Sequence, residues 1–233
     1  MQAPTQPSAI LLDALGTLVA LEPPAPRLRK ELAERFDLDV SEAQAASAIA
    51  AEIVYYRSHL DEGRDETSLR ALRSRCAEVL RAALPGADRI ELDRMKQALL
   101  ASLRFTPFAD VRPALLAARA RGQRLVVVSN WDVSLHAVLR GLGLEPLLDA
   151  ILTSAEVGVR KPAPAIFERA LELVGARAAQ TIHVGDSLEE DVAGARAAGI
   201  EPVLIRRGEA TPVADVRTIS SLSELDDQAL PAS

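Results

Sequence analysis

Four short apolar runs in this chain each lead into residues able to do chemistry. Asp13 follows Ala9–Leu12, Ser129 and Asn130 follow Leu125–Val128, and Gly185-Asp186-Ser187 follows Thr181–Val184. A loop after Ala150–Thr153 leads to Lys161-Pro162. The set offers two carboxylates, a hydroxyl and an ammonium group. Facing carboxylates repel, so they ask for a cation between them or for raised pKa values. A hard divalent ion such as Mg²⁺, held by one or two carboxylates and by phosphate oxygens, meets that demand. Taken singly, each residue has a plainer reading. Asp13 ahead of Gly16 has the composition of a turn, and Ser129, Asn130, Asp186 and Ser187 are ordinary helix N-cap types. Lys161 is harder to set aside: only Lys30, Lys96 and Lys161 are lysines among 27 basic residues. A compact ammonium suits a point contact with phosphate.

The elements that must position these groups follow from periodicity. After Pro107 the chain alternates short β-branched runs with helical segments, about Val111 to Arg121, Leu135 to Leu142, Pro164 to Val174 and Asp191 to Ala198. Glycines 122, 143, 175 and 199 stand where helices stop. Alternating β and α predicts an α/β fold with a Rossmann-like parallel sheet and right-handed crossovers. The run Ala9–Leu12 supplies the first strand. In such sheets ligands bind beyond the carboxyl ends of the strands, where the polar residues fall. Between Glu22 and Thr106 the pattern is helical: Ser41 and Gln44 have capping-box spacing, and Leu69, Leu72, Cys76, Val79, Leu80 and Ala83 mark one helix face. The expected organisation is an α/β core of residues 1–21 and 107–233 with an all-helical insertion of 22–106. The tail from Thr211 is expected to add edge structure and a short helix.

Composition excludes other classes. At 48% apolar the chain can bury a core. A net charge of −6 with no dense basic block speaks against nucleic-acid binding. A single cysteine, Cys76, excludes an intramolecular disulfide framework and a cysteine-rich zinc site. The stretch Ala9–Leu21 is too short for a membrane span and carries Asp13 in its middle, with the first basic residue only at Arg27. A soluble cytoplasmic protein with no membrane partner is expected.

Asp13-Ala14-Leu15-Gly16-Thr17-Leu18, Ser129-Asn130-Trp131-Asp132, Lys161-Pro162 and Gly185-Asp186-Ser187-Leu188-Glu189-Glu190-Asp191 resemble, in order, the four motifs of haloacid dehalogenase-like hydrolases. The insertion resembles the helical cap of the subgroup with a cap at that point. The resemblance implies that Asp13 is a nucleophile forming an aspartyl-phosphate or ester that water then cleaves. It implies that Ser129 hydrogen-bonds the transferring group and that Lys161 neutralises charge on the nucleophile and phosphoryl oxygens. Asp186 would ligate Mg²⁺, with Asp191 doing so directly or through water, and Asp13 and the Leu15 carbonyl completing the set. Thr17, Asn130, Trp131 and Tyr56 are the expected substrate contacts. The substrate implied is a small phosphate ester.

One position departs from the phosphatase pattern. Phosphatases of this type carry a second aspartate two residues after the nucleophile, which protonates the leaving alkoxide and activates water. Here that residue is Leu15. The dehalogenase branch also lacks the second aspartate, and halide leaves without a proton, so metal-independent cleavage of a 2-haloacid is an alternative. That branch has Ser and Asn where this chain has Gly185-Asp186. A second alternative is a catalytically silent binding or regulatory protein that keeps the pocket. Tyr55-Tyr56-Arg57-Ser58-His59 is the most suggestive cluster of the insertion, with packing between helices as its plainer reading. His183, inside a strand run, reads as a core residue.

Overall fold

Strand β1, Ala9–Leu12, is buried along its whole length because it runs through the middle of a sheet. In the computed structural model, which describes residues 6–208 and 212–225, it pairs in parallel with β4, Arg124–Ser129, on one side and β6, Thr181–Gly185, on the other. The remaining members are β5, Ala150–Thr153, β7, Glu201–Ile205, and β8, Arg217–Ile219. The order is β5-β4-β1-β6-β7-β8 and every pairing is parallel. Strands buried on both faces need apolar side chains throughout, which is why these segments lack polar alternation. Alternation still decides the face. Leu11, Val126 and Val128 pack with Ile166, Phe167, Ala170 and Leu171. The chain builds β4 and β5 to one side of β1, then crosses to build β6 and β7 on the other. That reversal opens a crevice at the carboxyl ends.

The described residues form two units, one up to Ala20 together with those from Pro107 on, the other Leu21–Thr106. The first unit carries the sheet. Its helices are α5, Val111–Ala120, α6, Ser134–Gly141, α7, Ser154–Val157, α8, Pro164–Val174, and α9, Gly194–Ala197, which continues a π-helical turn at Leu188–Ala193. Gly122, Gly143, Gly175 and Gly199 adopt the left-handed backbone expected at these stops, φ +63 to +76°. Of the tail, β8 and a 3₁₀ turn at Leu222–Leu225 are described, while Thr211 and residues 226–233 lie outside the described residues.

The second unit consists of α1, Pro24–Phe36, α2, Glu42–His59, α3, Glu66–Ala83, and α4, Leu92–Ser102. Leu28, Leu32, Ile49, Leu72, Leu80, Met95 and Leu99 form its core. The Ser41 hydroxyl accepts from Gln44 N, and the Gln44 side chain accepts from Ser41 N, so the capping box is complete. A feature without strand-like alternation is a two-stranded pair, β2, Val19–Leu21, with β3, Phe105–Pro107, where the chain passes between the units.

Arg207 and Asp110 form a tie inside the first unit. Arg207 Nη1 donates to both Asp110 oxygens at 2.7 and 2.6 Å, and Nη2 donates to the Thr17 carbonyl. Asp110 also accepts from Ser221 Oγ at 2.8 Å and Leu222 N at 2.6 Å. Burial alone would raise its pKa, but these donors hold the carboxyl below its ordinary range. Asp110→Ala strands a half-buried guanidinium and is expected to cost about 2 kcal/mol of stability at neutral pH, the scale for hydrogen bonds to charged groups. Because the folded pKa is depressed, the wild-type advantage vanishes as pH falls through it. Urea unfolding of both proteins at neutral and acid pH measures this.

Candidate functional site

Asp13 stands where β1 ends, 6% exposed, and its amide N donates to Val184 O on β6 at 2.9 Å. The loop after it turns sharply. Gly16 has φ +84° and donates from N to Val19 O at 2.8 Å, while Leu18 N and Val19 N both return to Ala14 O. Glycine is required here for a second reason: a Cβ at position 16 would lie 2.2 Å from Asp186 Oδ2. The loop and Asp186 are therefore in close contact. Gly185 makes the same allowance for Asp191, whose Cγ would be 2.1 Å from an added Cβ.

Ser129, at the end of β4, donates from Oγ to Asp13 Oδ1 at 3.0 Å. Lys161 Nζ donates to Asp13 Oδ1 and to Asp191 Oδ1, both at 2.6 Å, with the ammonium fully enclosed. The loop bearing Lys161 is pinned by Asn130, whose amide donates to Lys161 O at 3.0 Å and accepts from Lys161 N at 2.8 Å. Asp191 lies on the π-helical turn, which Ser187 caps by accepting from Glu190 N. Its Oδ1 also faces His183 Nε2 at 2.9 Å, and its Oδ2 accepts from Ser187 N at 3.0 Å.

These contacts set the charges. Burial pushes the Asp13 carboxyl up to about 6; Lys161 pulls against this, and the nearby Asp191 and Asp186 charges add to it. Burial also opposes ionisation of Asp191, but Lys161 and the His183 hydrogen bond hold it well below the usual carboxylate range. Lys161 would be weakened as a base by burial, yet Asp13 and Asp191 hold it above the ordinary lysine value. Asp186 is exposed, and desolvation followed by the Asp191 charge raises it. Asp13, Asp186 and Asp191 each offer an oxygen within 4.8 Å of the others. Three carboxylates against one ammonium leave an excess of two negative charges on hard oxygen donors. A divalent cation of the Mg²⁺ type fits that set.

The other expected contacts are placed differently. Thr17 has no exposed surface and its hydroxyl has no partner, so it has no face to offer a ligand; its carbonyl instead receives Arg207. Asn130 binds the Lys161 backbone through both ends of its amide. Trp131 is 7% exposed, with most of its ring in the core. Tyr56 belongs to the helical unit and packs against that unit's core. Leu15 is half-buried on the Asp13 loop. His183, expected as a core residue, is buried and also touches the site through Asp191. The signal available was a polar residue inside an otherwise apolar strand, two positions before Gly185.

A family model described as haloacid dehalogenase-like hydrolase matches residues 7–199. The chain is 45% identical over 87 residues to "Haloacid dehalogenase-like hydrolase domain-containing protein 3" of Bos taurus, across 37% of this chain and 35% of that protein. It is 38% identical over 103 residues to "Glyceraldehyde 3-phosphate phosphatase" of Methanopyrus kandleri, across 44% of each. The matches thus span less than half the length of either relative. Among solved structures, a 2-haloacid dehalogenase from Pseudomonas syringae superposes with a TM-score of 0.66 at 24% identity, covering 94% of this chain and 96% of that one.

Proposed function

The chain belongs to the haloacid dehalogenase-like hydrolase family, and from that membership we propose that it is a Mg²⁺-dependent phosphatase acting on a small phosphorylated metabolite. The observation that carries this reading is the group of Asp13, Asp186 and Asp191 with Lys161 between two of them. Phosphatase-named relatives such as that of Methanopyrus kandleri support it. In the proposed reaction an Asp13 oxygen forms a bond to phosphorus while the ester P–O bond breaks and the alkoxide departs. Water then cleaves the aspartyl-phosphate, releasing inorganic phosphate and restoring the carboxylate. Lys161 offsets charge on Asp13 and on the phosphoryl oxygens, and Ser129 orients the nucleophile. Asp13, Asp186 and the Leu15 carbonyl would hold the ion, with Asp191 direct or through water. The ion would supply charge neutralisation at the phosphoryl group. Leu15 has no proton to give, so esters with good leaving groups are favoured.

We assign the division into an α/β domain of 1–21 and 107–233 and a helical cap of 22–106 the roles of chemistry and substrate selection, as the resemblance implies. A cytoplasmic location belongs to the same reading; among the described residues no helix is long and apolar enough to cross a membrane.

Aryl phosphate hydrolysis is expected to depend on added Mg²⁺, to stop with a chelator, and to disappear in Asp13→Asn. Turnover indifferent to chelator across a phosphate-ester panel would overturn the metal assignment. Leu15 favours a second reading, metal-independent release of halide from a 2-haloacid. It predicts chloride release that survives chelation, and inactivity across haloacids removes it.

A further inference from the structure

His183 occupies the middle of β6, fully buried, in register with Leu11 on β1 and Pro202 on β7. Its neighbours Ile182 and Val184 are what a strand buried on both faces requires. An imidazole here must satisfy two ring nitrogens, and only one is satisfied. Nε2 lies 2.9 Å from Asp191 Oδ1, whereas Nδ1 is buried with no partner. Phe167 packs near-perpendicular to the ring, centroids 4.9 Å apart. A buried polar atom without a partner is destabilising, and valine or isoleucine would avoid it. What only the histidine supplies is the hydrogen bond to Asp191.

A carboxylate only accepts, so Nε2 is the donor. The Asp191 carboxylate is gripped at both ends: Ser187 N holds Oδ2, while His183 Nε2 and Lys161 Nζ share Oδ1. Lys161 in turn reaches Asp13 Oδ1 at the same 2.6 Å. The four side chains form one line, His183, Asp191, Lys161, Asp13. If the donor at Oδ1 is lost, the carboxylate plane is free to turn and the sharing of Nζ between Asp191 and Asp13 is no longer fixed. We propose that His183 is a positioning residue: acting through Asp191, it holds the Lys161 ammonium against the Asp13 carboxylate. The inference rests on the reading of Asp13 as nucleophile and Lys161 as the group that neutralises its charge.

The test compares the natural chain with His183→Leu, which removes the donor at similar bulk, and His183→Gln, whose amide nitrogen restores one. Two readouts are taken: kcat and KM for an aryl phosphate with Mg²⁺, and the ¹⁵N resonance of the Lys161 ammonium in metal-free protein. His183→Leu is expected to lose about 10- to 100-fold in kcat, the usual effect of an outer partner of a site, with KM little changed. Its Lys161 resonance shifts or broadens, and His183→Gln recovers most of both. A residue that only fills space would alter thermal stability and neither readout. Wild-type kcat or an unmoved Lys161 resonance in His183→Leu overturns the proposal, as does a folded His183→Gln that behaves like His183→Leu. Where His183→Leu does not fold, wild-type behaviour of His183→Gln supports the proposal and loss of both readouts in it overturns it. If the wild type hydrolyses no phosphate ester, the phosphatase reading fails separately, and the Lys161 resonance alone decides the role of His183.

Discussion

Leu15→Asp is expected to raise turnover of alkyl phosphates by about a hundred- to ten-thousand-fold, the usual contribution of a positioned general acid–base. Leu15 lies two residues beyond Asp13, half-buried on the loop that Gly16 turns. A carboxyl there would give a proton to the departing alkoxide and later take one from the attacking water. Both half-reactions of the natural chain lack that help. Phenolates leave without a proton, so aryl phosphates should gain least in the first step, and the gain should grow with leaving-group pKa. Steady-state rates for an alkyl and an aryl series, with Mg²⁺, measure the slope. If the wild type already hydrolyses alkyl esters as fast as aryl ones and the variant gains nothing, another group supplies the proton. If turnover appears only in the variant, the natural chain is a binding protein that keeps the pocket.

Lys161→Met should damage both activity and stability, in two separable ways. Removing a fixed positive group from a site of developing negative charge costs about 10²–10³ in kcat. It also leaves the carboxylates of Asp13 and Asp191 buried without their shared partner. Breaking a buried pair from one side costs about 3–5 kcal/mol of stability. The pH dependence gives this part away. In the wild type Asp13 is already raised to about 6, so the folded chain holds more protons than the unfolded one below that pH. Its contribution to stability therefore falls as pH rises toward that value. Without Lys161 the Asp13 carboxyl rises further and Asp191 loses the cation that holds it low. The metal-free variant is then expected to melt close to the wild type in mild acid and well below it in mild alkali. A melting-temperature gap that stays constant across that range would contradict the enclosed Lys161 bridge.

The strand ends were legible because they depend only on local pattern. A run of apolar residues followed by Asp13, Ser129 or Gly185-Asp186 tells where a buried strand stops, and a parallel sheet puts all such stops on one edge. The Ser41–Gln44 capping box and the helix-stopping glycines were legible for the same reason, being contacts within a few residues. What the pattern did not carry were partners distant in sequence. Asp110 and Arg207 sit 97 positions apart, and neither looks unusual alone. Asn130 gives no sign in the sequence that its amide holds the Lys161 backbone, 31 positions on. Thr17 sits in a polar-looking motif, yet Arg207 and the turn around Gly16 draw it inside. The β2–β3 pair has three residues per strand, too short for alternation to register. His183 was visible as an exception within a strand, but its partner lies eight positions on, past a loop and on a π-helical turn.

The central place of β1 also dictates when the site comes into being. Its two neighbours, β4 and β6, are each more than a hundred positions downstream. Contacts that distant form late, because the intervening chain must first be closed into loops. The helices between Pro24 and Ser102 are local by comparison. At about 5–20 residues per second of synthesis, β1 leaves the ribosome roughly ten seconds or more before β6 exists. Until β4 is made its four apolar residues have no strand to pair with; Asp13 then gains Ser129, later Lys161, and the β6 side of the site comes after both. In a nascent chain the site cannot assemble before β6 is made, and until β4 arrives β1 is a sticky segment that must be kept from finding the wrong partner.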